Sequence, residues 1–369
     1  MTDPAPTGSQ NEAKKQRGTS FPVVVLAVLL VLMVLLVLAE LGARLAEASP
    51  NQPIRSIGNF HTQFETKWFK LKDYAARNGG VDVLLMGNSM VNTGVDPDVL
   101  ADEYEALTGV RPRIFNFGVE GMDLFTNAEL AELLVREVNP QTIVFFTEMR
   151  EYGPQTDTSV PERYKTAAWF QYKLGNPSLE GWFYDHSAAM QYFLPYRNWS
   201  RADFPDGILS ATYRYRLTTA AGYEPDMGTG KDLDVRPDPN DPAHKPFFDL
   251  YANFAPAEES LSAFERLLRL QGSGVRVMVT EMPAYFSFYE YFGGEPVHQD
   301  FLDTIASLTT ANGGAFLTPI DSELIPLPGR VDNHHLNFKG TQVYSTLLGE
   351  QLGTLCAVDG LCLTEGAGS

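Results

Sequence analysis

The chain has 369 residues, of which 44% are apolar and 12% aromatic, enough for a folded core and too many for an intrinsically disordered protein. Its formal net charge of −18 argues against a general nucleic-acid-binding protein, because such proteins neutralise phosphates with clustered lysine and arginine. The length is large for one domain, although a single α/β domain with insertions reaches it.

An apolar run without a charge, Phe21–Ala39, comes first along the chain. Nineteen residues at the helical rise nearly cross the hydrocarbon core of a bilayer. The run is longer than the apolar region of an ordinary signal peptide. Residues 21–43 are therefore predicted to be a transmembrane signal anchor. A cleavage-like Ala46-Glu47-Ala48 follows, so removal of the segment is the alternative.

The flanking charges predict the orientation of this helix. Lys14, Lys15 and Arg17 precede the apolar run, whereas only Arg44 lies just after it. Because positive residues stay in the cytoplasm, residues 1–20 are predicted to be a disordered cytoplasmic tail. The protein is then a single-pass protein of the cell membrane, and the chain from about residue 45 onward lies outside the cytoplasm.

After a juxtamembrane linker or helix predicted at 44–79, short apolar runs alternate with amphipathic segments over 80–355. This alternation predicts βαβ units and a parallel sheet covered on both faces. The predicted strands are 81–86, 113–117, 142–147, 275–280 and 315–320, and the predicted helices are 97–107, 124–138, 256–270, 299–313 and 340–352. Catalytic groups of such sheets gather beyond the carboxyl ends of the strands.

The alternation is interrupted at about 151–255, a region rich in aromatic residues and arginine. Within it, residues 227–245 are rich in proline, aspartate and glycine and are predicted to be an exposed loop. The region is interpreted as an insertion over the functional edge of the sheet. A helical elaboration packed elsewhere is the alternative.

The only two cysteines, Cys356 and Cys362, lie in the C-terminal tail predicted at 356–369. In an oxidising compartment they would close a small disulfide loop, and two free thiols are the alternative. A nucleotide-binding glycine motif and a cluster of metal ligands are both absent from the sequence pattern. No metal or other cofactor is therefore expected.

The first predicted strand ends in Gly87-Asn88-Ser89, where the serine is either a helix cap or a nucleophile. A serine nucleophile needs a base and a group that orients this base. Asp332 and His335, three residues apart just before the last helix, have the spacing for these two roles. Gly118 follows the second strand, where its N–H group could stabilise an oxyanion.

In this order, the motifs resemble those of the SGNH (GDSL-like) hydrolase family. The matching residues are Gly87-Asn88-Ser89, Gly118 of FNFGVEG, and Asp332-Asn333-His334-His335-Leu336-Asn337 with Gly340. The resemblance implies an α/β, flavodoxin-like three-layer sandwich. It also implies that Ser89 is the nucleophile, His335 the base and Asp332 its orienter, with the N–H groups of Ser89 and Gly118 holding the oxyanion.

The sequence GNSMVNTGVDPDVL, followed by FNFGVEG, resembles the sequences of a membrane-anchored envelope branch of that family. The branch includes relatives of the D-alanine transfer protein of teichoic acids and of the alginate O-acetylation proteins. This implies an esterase or O-acyltransferase acting on a cell-envelope polysaccharide or a related acyl ester. A multi-span membrane acyltransferase is then a candidate partner, and nucleic acid is not a partner.

The chain departs from the family pattern at two places. Asn88 stands where the family usually has aspartate, and TEMREY after the third strand lacks the asparagine of the usual Gly-x-Asn-Asp block. Asn92 and Arg150 are candidate replacements, and Glu148 with Arg150 could instead form an ion pair at the edge of the site. The rival hypothesis is a non-catalytic envelope protein that binds polysaccharide or assists a membrane acyltransferase.

Overall fold

The computed structural model describes residues 21–47, 54–58, 61–154, 159–197, 199–231 and 233–364, in two units, Met1–Pro53 and Ile54–Ser369. The described part of the first unit is helix α1 (Phe21–Glu47). This helix is long and apolar enough to be a membrane anchor or a signal sequence. The tail predicted at 1–20 lies outside the described residues.

The second unit is built on a five-stranded parallel sheet with the strand order β2-β1-β3-β4-β5. Its strands are β1 (Val83–Met86), β2 (Ile114–Asn116), β3 (Thr142–Thr147), β4 (Arg276–Glu281) and β5 (Ala315–Phe316). The order reverses between β1 and β3, as in flavodoxin-like folds, where ligands bind at this switch point. β5 is shorter than the predicted 315–320, and Pro319, which lacks an N–H, could not have continued the ladder.

Helices cover both faces of this sheet. They are α2 (Thr62–Asn78), α3 (Ser89–Gly94), α4 (Pro97–Thr108), α5 (Leu124–Val138), α6 (Ser159–Thr166), α7 (Ala168–Lys173), α8 (Leu179–His186), α9 (Ala188–Phe193), α10 (Phe204–Leu217), α11 (Lys245–Leu250), α12 (Glu258–Leu268), α13 (Phe286–Tyr289), α14 (Glu295–Ala311) and α15 (Phe338–Asp359). α4 packs with α15, and α5 packs with α12. Because the strands lie between these layers, β1, β2 and β3 are buried along their whole length. The predicted α/β three-layer sandwich is confirmed.

The segment predicted as a juxtamembrane linker or helix, 44–79, is divided between the two units. Its helix α2 buries Phe64 and Trp68 in the core of the second unit. Trp68 packs edge-on against Trp169 of α7, with 4.6 Å between ring centroids. α2 is therefore part of the α/β unit and joins it to the insertion.

The insertion at 151–255 carries the helices α6 to α11, with turns and irregular backbone between α10 and α11, where the loop at 227–245 was predicted. One part, including α10, packs on α2, as in the second alternative. The stretch after α10 instead runs along the carboxyl edge of the sheet. There the Asn116 N–H donates to Ala221 O at 2.8 Å, and the Gly230 N–H donates to Arg330 O at 2.8 Å. The insertion thus combines the two arrangements expected from the sequence.

The C-terminal segment packs on the sheet. α15 continues to Asp359, past the predicted boundary at 355, and Cys356 and Cys362 form a disulfide. Leu363 is fully buried, and its carbonyl accepts a 2.8 Å hydrogen bond from the Thr142 hydroxyl. The α/β unit therefore extends into the predicted tail.

Candidate active site

Ser89 is presented by a tight turn between β1 and α3. Gly87 has φ +155°, and a Cβ atom there would lie 2.6 Å from Val91 Cγ2 and 3.0 Å from Phe146 O. Asn88 is the N-cap of α3, since its side-chain oxygen accepts the Met90 N–H at 2.9 Å. The helix cap is thus Asn88, which leaves the Ser89 hydroxyl available for chemistry.

The loop that carries the histidines is held at both ends. Before it, Arg330 is buried and donates hydrogen bonds to Pro283 O at 2.8 Å and Ser322 O at 2.9 Å. After it, Asn337 caps α15 and donates to Gly228 O in the insertion at 2.8 Å. Because burial lowers the pKa of Arg330 only to about 10, its guanidinium stays charged at neutral pH.

The structure brings Ser89, His335 and Asp332 together. The distance from Ser89 Oγ to His335 Nε2 is 2.8 Å, and that from His335 Nδ1 to Asp332 Oδ2 is also 2.8 Å. The other carboxylate oxygen, Asp332 Oδ1, accepts the backbone N–H groups of His334 at 2.9 Å and His335 at 2.7 Å. A base and its orienter therefore lie in line behind the hydroxyl.

Asp332 is kept ionised by its surroundings. Burial raises the pKa of its carboxyl, but the His335 hydrogen bond, the charges of His334 and His335 and the backbone N–H of His334 together outweigh burial and lower it. An ionised Asp332 favours the His335 tautomer with a proton on Nδ1. The lone pair of Nε2 then faces Ser89, as a general base requires.

His334 lies against the base, with 15% of its side chain exposed. Its ring packs against those of His335, 4.0 Å away, and Phe288, 5.2 Å away. Its Nε2 lies 3.5 Å from Arg150 Nη1. Burial, followed by the charge of His335, lowers the pKa of His334 well below its usual range.

Asp332, His334 and His335 also form a possible chelating group. One ligand atom from each of the three lies within 4.8 Å of the others, close enough to hold a metal ion. The sequence reasoning did not foresee this group. His335 Nδ1 and Asp332 Oδ2 already bind each other, however, so a metal ion would compete with the hydrogen bond that orients the base.

A buried group of charged residues lies behind the nucleophile turn. Asn88 Nδ2 donates to Glu148 Oε1 at 2.9 Å and to Glu151 Oε1 at 3.1 Å. The Glu148–Arg150 ion pair is present, with 2.8 Å from Arg150 Nη2 to Glu148 Oε1. Burial, followed by the charge of Glu148, raises the pKa of Glu151 well above its usual range. Glu148 therefore stabilises the Gly87–Ser89 turn through Asn88, while the partly exposed Arg150 lies beside His334.

The expected oxyanion donors are only partly available. The Gly118 N–H donates to Asn116 Oδ1 at 2.9 Å, so in this structure it is not available to an oxyanion, contrary to the expectation from the sequence. Asn92 is buried and turned toward Glu224, with 3.4 Å between Nδ2 and Oε2. Among the described residues, the Ser89 N–H makes no hydrogen bond and remains free to act as a donor.

Residues of α2 form hydrogen bonds with the segments around Asn116, Glu120 and Glu224, which the sequence analysis did not predict. Gln63 donates to Glu224 Oε2 at 2.9 Å and accepts the Glu120 N–H at 2.6 Å. Lys67 is fully buried, donates to Asn116 Oδ1 at 3.1 Å, and has its pKa lowered by burial. Gln63 and Lys67 are four residues apart and therefore lie on one side of α2, which also carries Phe64 and Trp68. This spacing could have indicated them in the sequence.

No family model matches the chain, and no curated protein matches it significantly. Solved structures similar to it include a gut microbial diltiazem-metabolizing enzyme, at 11% identity and a TM-score of 0.36. That alignment covers 74% of this chain and 47% of the other, so this chain spans about half the length of that enzyme. A GDSL-like lipase from Bacteroides thetaiotaomicron is 10% identical, with a TM-score of 0.30 and coverage of 75% of this chain and 94% of the lipase. Similarity of this degree leaves the activity to be inferred from the site itself.

Proposed function

We propose that the chain is an SGNH-type serine enzyme that cleaves or transfers acyl esters. The observation that carries this proposal is the 2.8 Å approach of His335 Nε2 to Ser89 Oγ, with Asp332 bound to the far side of the same imidazole. Such a row of three groups is what a hydroxyl needs in order to act as a nucleophile at neutral pH.

The chemistry follows from these contacts. Ser89 Oγ attacks the acyl carbonyl carbon while His335 Nε2 takes the hydroxyl proton. The ester C–O bond breaks, the proton passes from His335 to the departing alcohol, and the acyl group stays on Ser89. His335 then deprotonates an acceptor hydroxyl, whose oxygen attacks the acyl carbonyl carbon. The bond between Ser89 Oγ and the acyl group breaks, and His335 returns the proton to Ser89 Oγ. Asp332 stabilises the His335 imidazolium during both the acylation and the deacylation of Ser89.

Oxyanion stabilisation is the weak part of this site. The Ser89 N–H is one donor, and the Gly118 N–H is held by Asn116. Loss of one such donor costs roughly 3–4 kcal/mol where it has been measured.

The location and substrate are part of the same proposal. α1 anchors the chain in the cell membrane with its N-terminus in the cytoplasm, and the second unit acts outside on an acylated cell-envelope polysaccharide. The support comes from the length of α1, the basic residues before it and the Cys356–Cys362 disulfide, which forms in oxidising compartments. Water as acceptor makes an esterase. A glycan hydroxyl makes an O-acyltransferase, for which a multi-span acyltransferase is the proposed partner.

A second candidate function is a non-catalytic polysaccharide-binding or accessory role. The occupied Gly118 N–H favours it, since a site that does not stabilise an oxyanion has no need of that donor. The absence of asparagine from TEMREY favours it as well.

A fluorophosphonate probe applied to the full-length protein separates the two functions. We expect covalent labelling of the wild type that is lost in Ser89→Ala and in His335→Ala. Ser210→Ala, on the exposed side of α10, is the matched control and should label normally. Labelling that survives Ser89→Ala would remove the nucleophile. A wild type that neither labels nor cleaves acyl esters would favour the accessory role.

A further inference from the structure

One segment of the insertion, residues 221–230, runs along the carboxyl edge of the sheet beside the proposed triad, and we call it the brace. At its start, the Asn116 N–H at the end of β2 donates to Ala221 O at 2.8 Å. Gly222 has φ +86°, and a Cβ atom there would collide with Asn116 O. The brace is therefore seated on the strand that lies next to β1, which leads to Ser89.

The middle of the brace contacts α3, the helix that begins at Ser89. The Glu224 N–H donates to Asn92 O at 3.3 Å, and Asn92 Nδ2 donates to Glu224 Oε2 at 3.4 Å. Because α3 ends at Gly94, its last carbonyl groups have no N–H partner within the helix. The brace supplies one of these partners and so holds the end of α3 opposite to the nucleophile.

The carboxylate of Glu224 joins the brace to two further helices. Gln63 of α2 donates to Oε2 at 2.9 Å, and Arg214 Nε of α10 lies 3.5 Å from Oε1. Glu224 is buried, and a buried carboxylate is costly unless such donors replace the water that it loses. Its position is therefore set by α2, α3 and α10 together.

The end of the brace contacts the loop that carries His335. The Gly230 N–H donates to Arg330 O at 2.8 Å. A Cβ atom on Gly230 would lie 2.6 Å from Val331 O, so the two backbones pack closely. The Val331 N–H in turn donates to His335 O at 3.0 Å. One short segment thus contacts both the helix of the nucleophile and the loop of the base.

We propose that the brace sets the separation of Ser89 and His335, with Glu224 as its positioning residue. This inference rests on the proposed ester chemistry, in which the two side chains exchange a proton. α3 has six residues, fewer than the roughly 12–15 that an isolated helix needs in water, so its position depends on contacts at its ends. Misplacement of a reacting group by about 1 Å costs up to roughly 10²-fold in rate. The insertion then contributes to catalysis without touching the substrate.

Fluorophosphonate labelling of the full-length chain tests the two ends of the brace. In Glu224→Gln one carboxylate oxygen becomes an amide donor that faces the donors around it, and Gly230→Ala pushes the brace away from Val331. We expect each substitution to slow the labelling of Ser89 roughly 10–10²-fold. The double variant should be slowed much less than the product of the two effects, because either substitution releases the same segment. Effects that multiply would show that the two ends act separately and would overturn a single brace.

Two control variants carry the same chemical changes at sites without these contacts. Glu350→Gln changes an exposed carboxylate on α15. Gly272→Ala adds a Cβ atom that meets nothing within 4 Å. Both variants should label at the wild-type rate.

A second measurement separates positioning from a general loss of structure. The Nδ1–H of His335, bound to Asp332 in the same loop, should give a low-field proton resonance in the NMR spectrum. We expect this resonance to persist in Glu224→Gln while labelling slows, because His335 and Asp332 move together. Loss of the resonance along with the labelling would indicate a general structural defect and overturn the positioning role.

The remaining outcomes separate this inference from the proposed function. Labelling of Glu224→Gln at the wild-type rate, even with a lower unfolding temperature, would overturn the role of Glu224 and leave the ester chemistry standing. A wild type that does not label would remove the ester chemistry, and the inference about the brace would fall with it.

Discussion

Asn88 Nδ2 donates a 2.9 Å hydrogen bond to Glu148 Oε1, which joins the residue before the proposed nucleophile to the first residue after β3. The resemblance led us to expect an aspartate in the first of these blocks and an asparagine in the second. This chain has an amide in the first and a carboxylate in the second. In this chain the amide donor of the first block and the carboxylate acceptor of the second bind each other, so the two departures are complementary.

Restoring the usual aspartate should therefore harm this protein. Asn88→Asp places a third carboxyl group beside those of Glu148 and Glu151, both buried, and removes the amide donor that binds them. We expect the free energy of unfolding to fall by about 3 kcal/mol at neutral pH. Urea denaturation followed by circular dichroism measures this change.

A second substitution serves as the control for this interpretation. In Asn88→Asp/Glu148→Gln the amide and carboxylate exchange places, so the hydrogen bond can form again with its direction reversed. We expect the double variant to regain a large part of the lost stability. A double variant less stable than Asn88→Asp alone would show that the two side chains are not coupled in this way.

Asp332→Asn tests the orientation of the base. An asparagine can still accept the backbone N–H groups of His334 and His335, but its neutral side chain no longer favours the His335 tautomer that accepts the Ser89 proton. We expect the rate constant of fluorophosphonate labelling to fall roughly 10³–10⁴-fold, as in other triads. Asp303→Asn, on the exposed side of α14, removes the same charge and should not change the rate. An unchanged rate in Asp332→Asn would exclude Asp332 from the triad.

Gly118→Ala tests the packing of the nucleophile helix. A Cβ atom at this position would lie 2.6 Å from Asn92 N and 2.7 Å from Val91 Cβ, both on α3, which begins at Ser89. We expect a loss of roughly 1–3 kcal/mol in the free energy of unfolding and slower labelling of Ser89. Gly207→Ala is the control, because a Cβ atom there meets nothing within 4 Å in α10 and should be neutral or slightly stabilising. Equal effects of the two substitutions would contradict the close packing.

The sheet was predictable because its strands are continuous apolar runs that end at turns. Ser89, Asp332 and His335 were also predictable as a set, because each follows or precedes a recognisable element and their chemistry requires one another. Their contacts depend on a turn and a loop whose ends are anchored by Gly87 and Arg330. The spacing of the residues alone does not reveal such anchoring.

The support of the site was not predictable, because its contacts join segments far apart in the chain. From α2, Gln63 binds Glu224 and Lys67 binds Asn116. Because α2 follows the apolar run Phe21–Ala39, its segment was predicted to be a juxtamembrane linker or helix. The Gly118 N–H is occupied because the Asn116 side chain folds back onto it, a choice of rotamer that the motif does not specify.

Acid should weaken the second unit through His61. Its Nδ1 accepts the Phe64 N–H at 3.3 Å and so caps α2. Burial, followed by the charges of Arg214 and Arg163, lowers the pKa of His61 to about 4. A histidine in the unfolded chain has a pKa of about 6.5, so the unfolded state binds a proton first as the pH falls.

The contribution of His61 to stability is therefore complete above about pH 6.5 and is lost between about pH 6.5 and pH 4. The loss amounts to at most 1.36 kcal/mol per pH unit, or about 3 kcal/mol over this range. His61→Asn keeps a capping oxygen without a titrating ring, and it should reduce the slope of unfolding free energy against pH. If His61→Asn keeps the wild-type slope, the protein does not hold His61 neutral, and the α2 cap is not the acid-sensitive point of the fold.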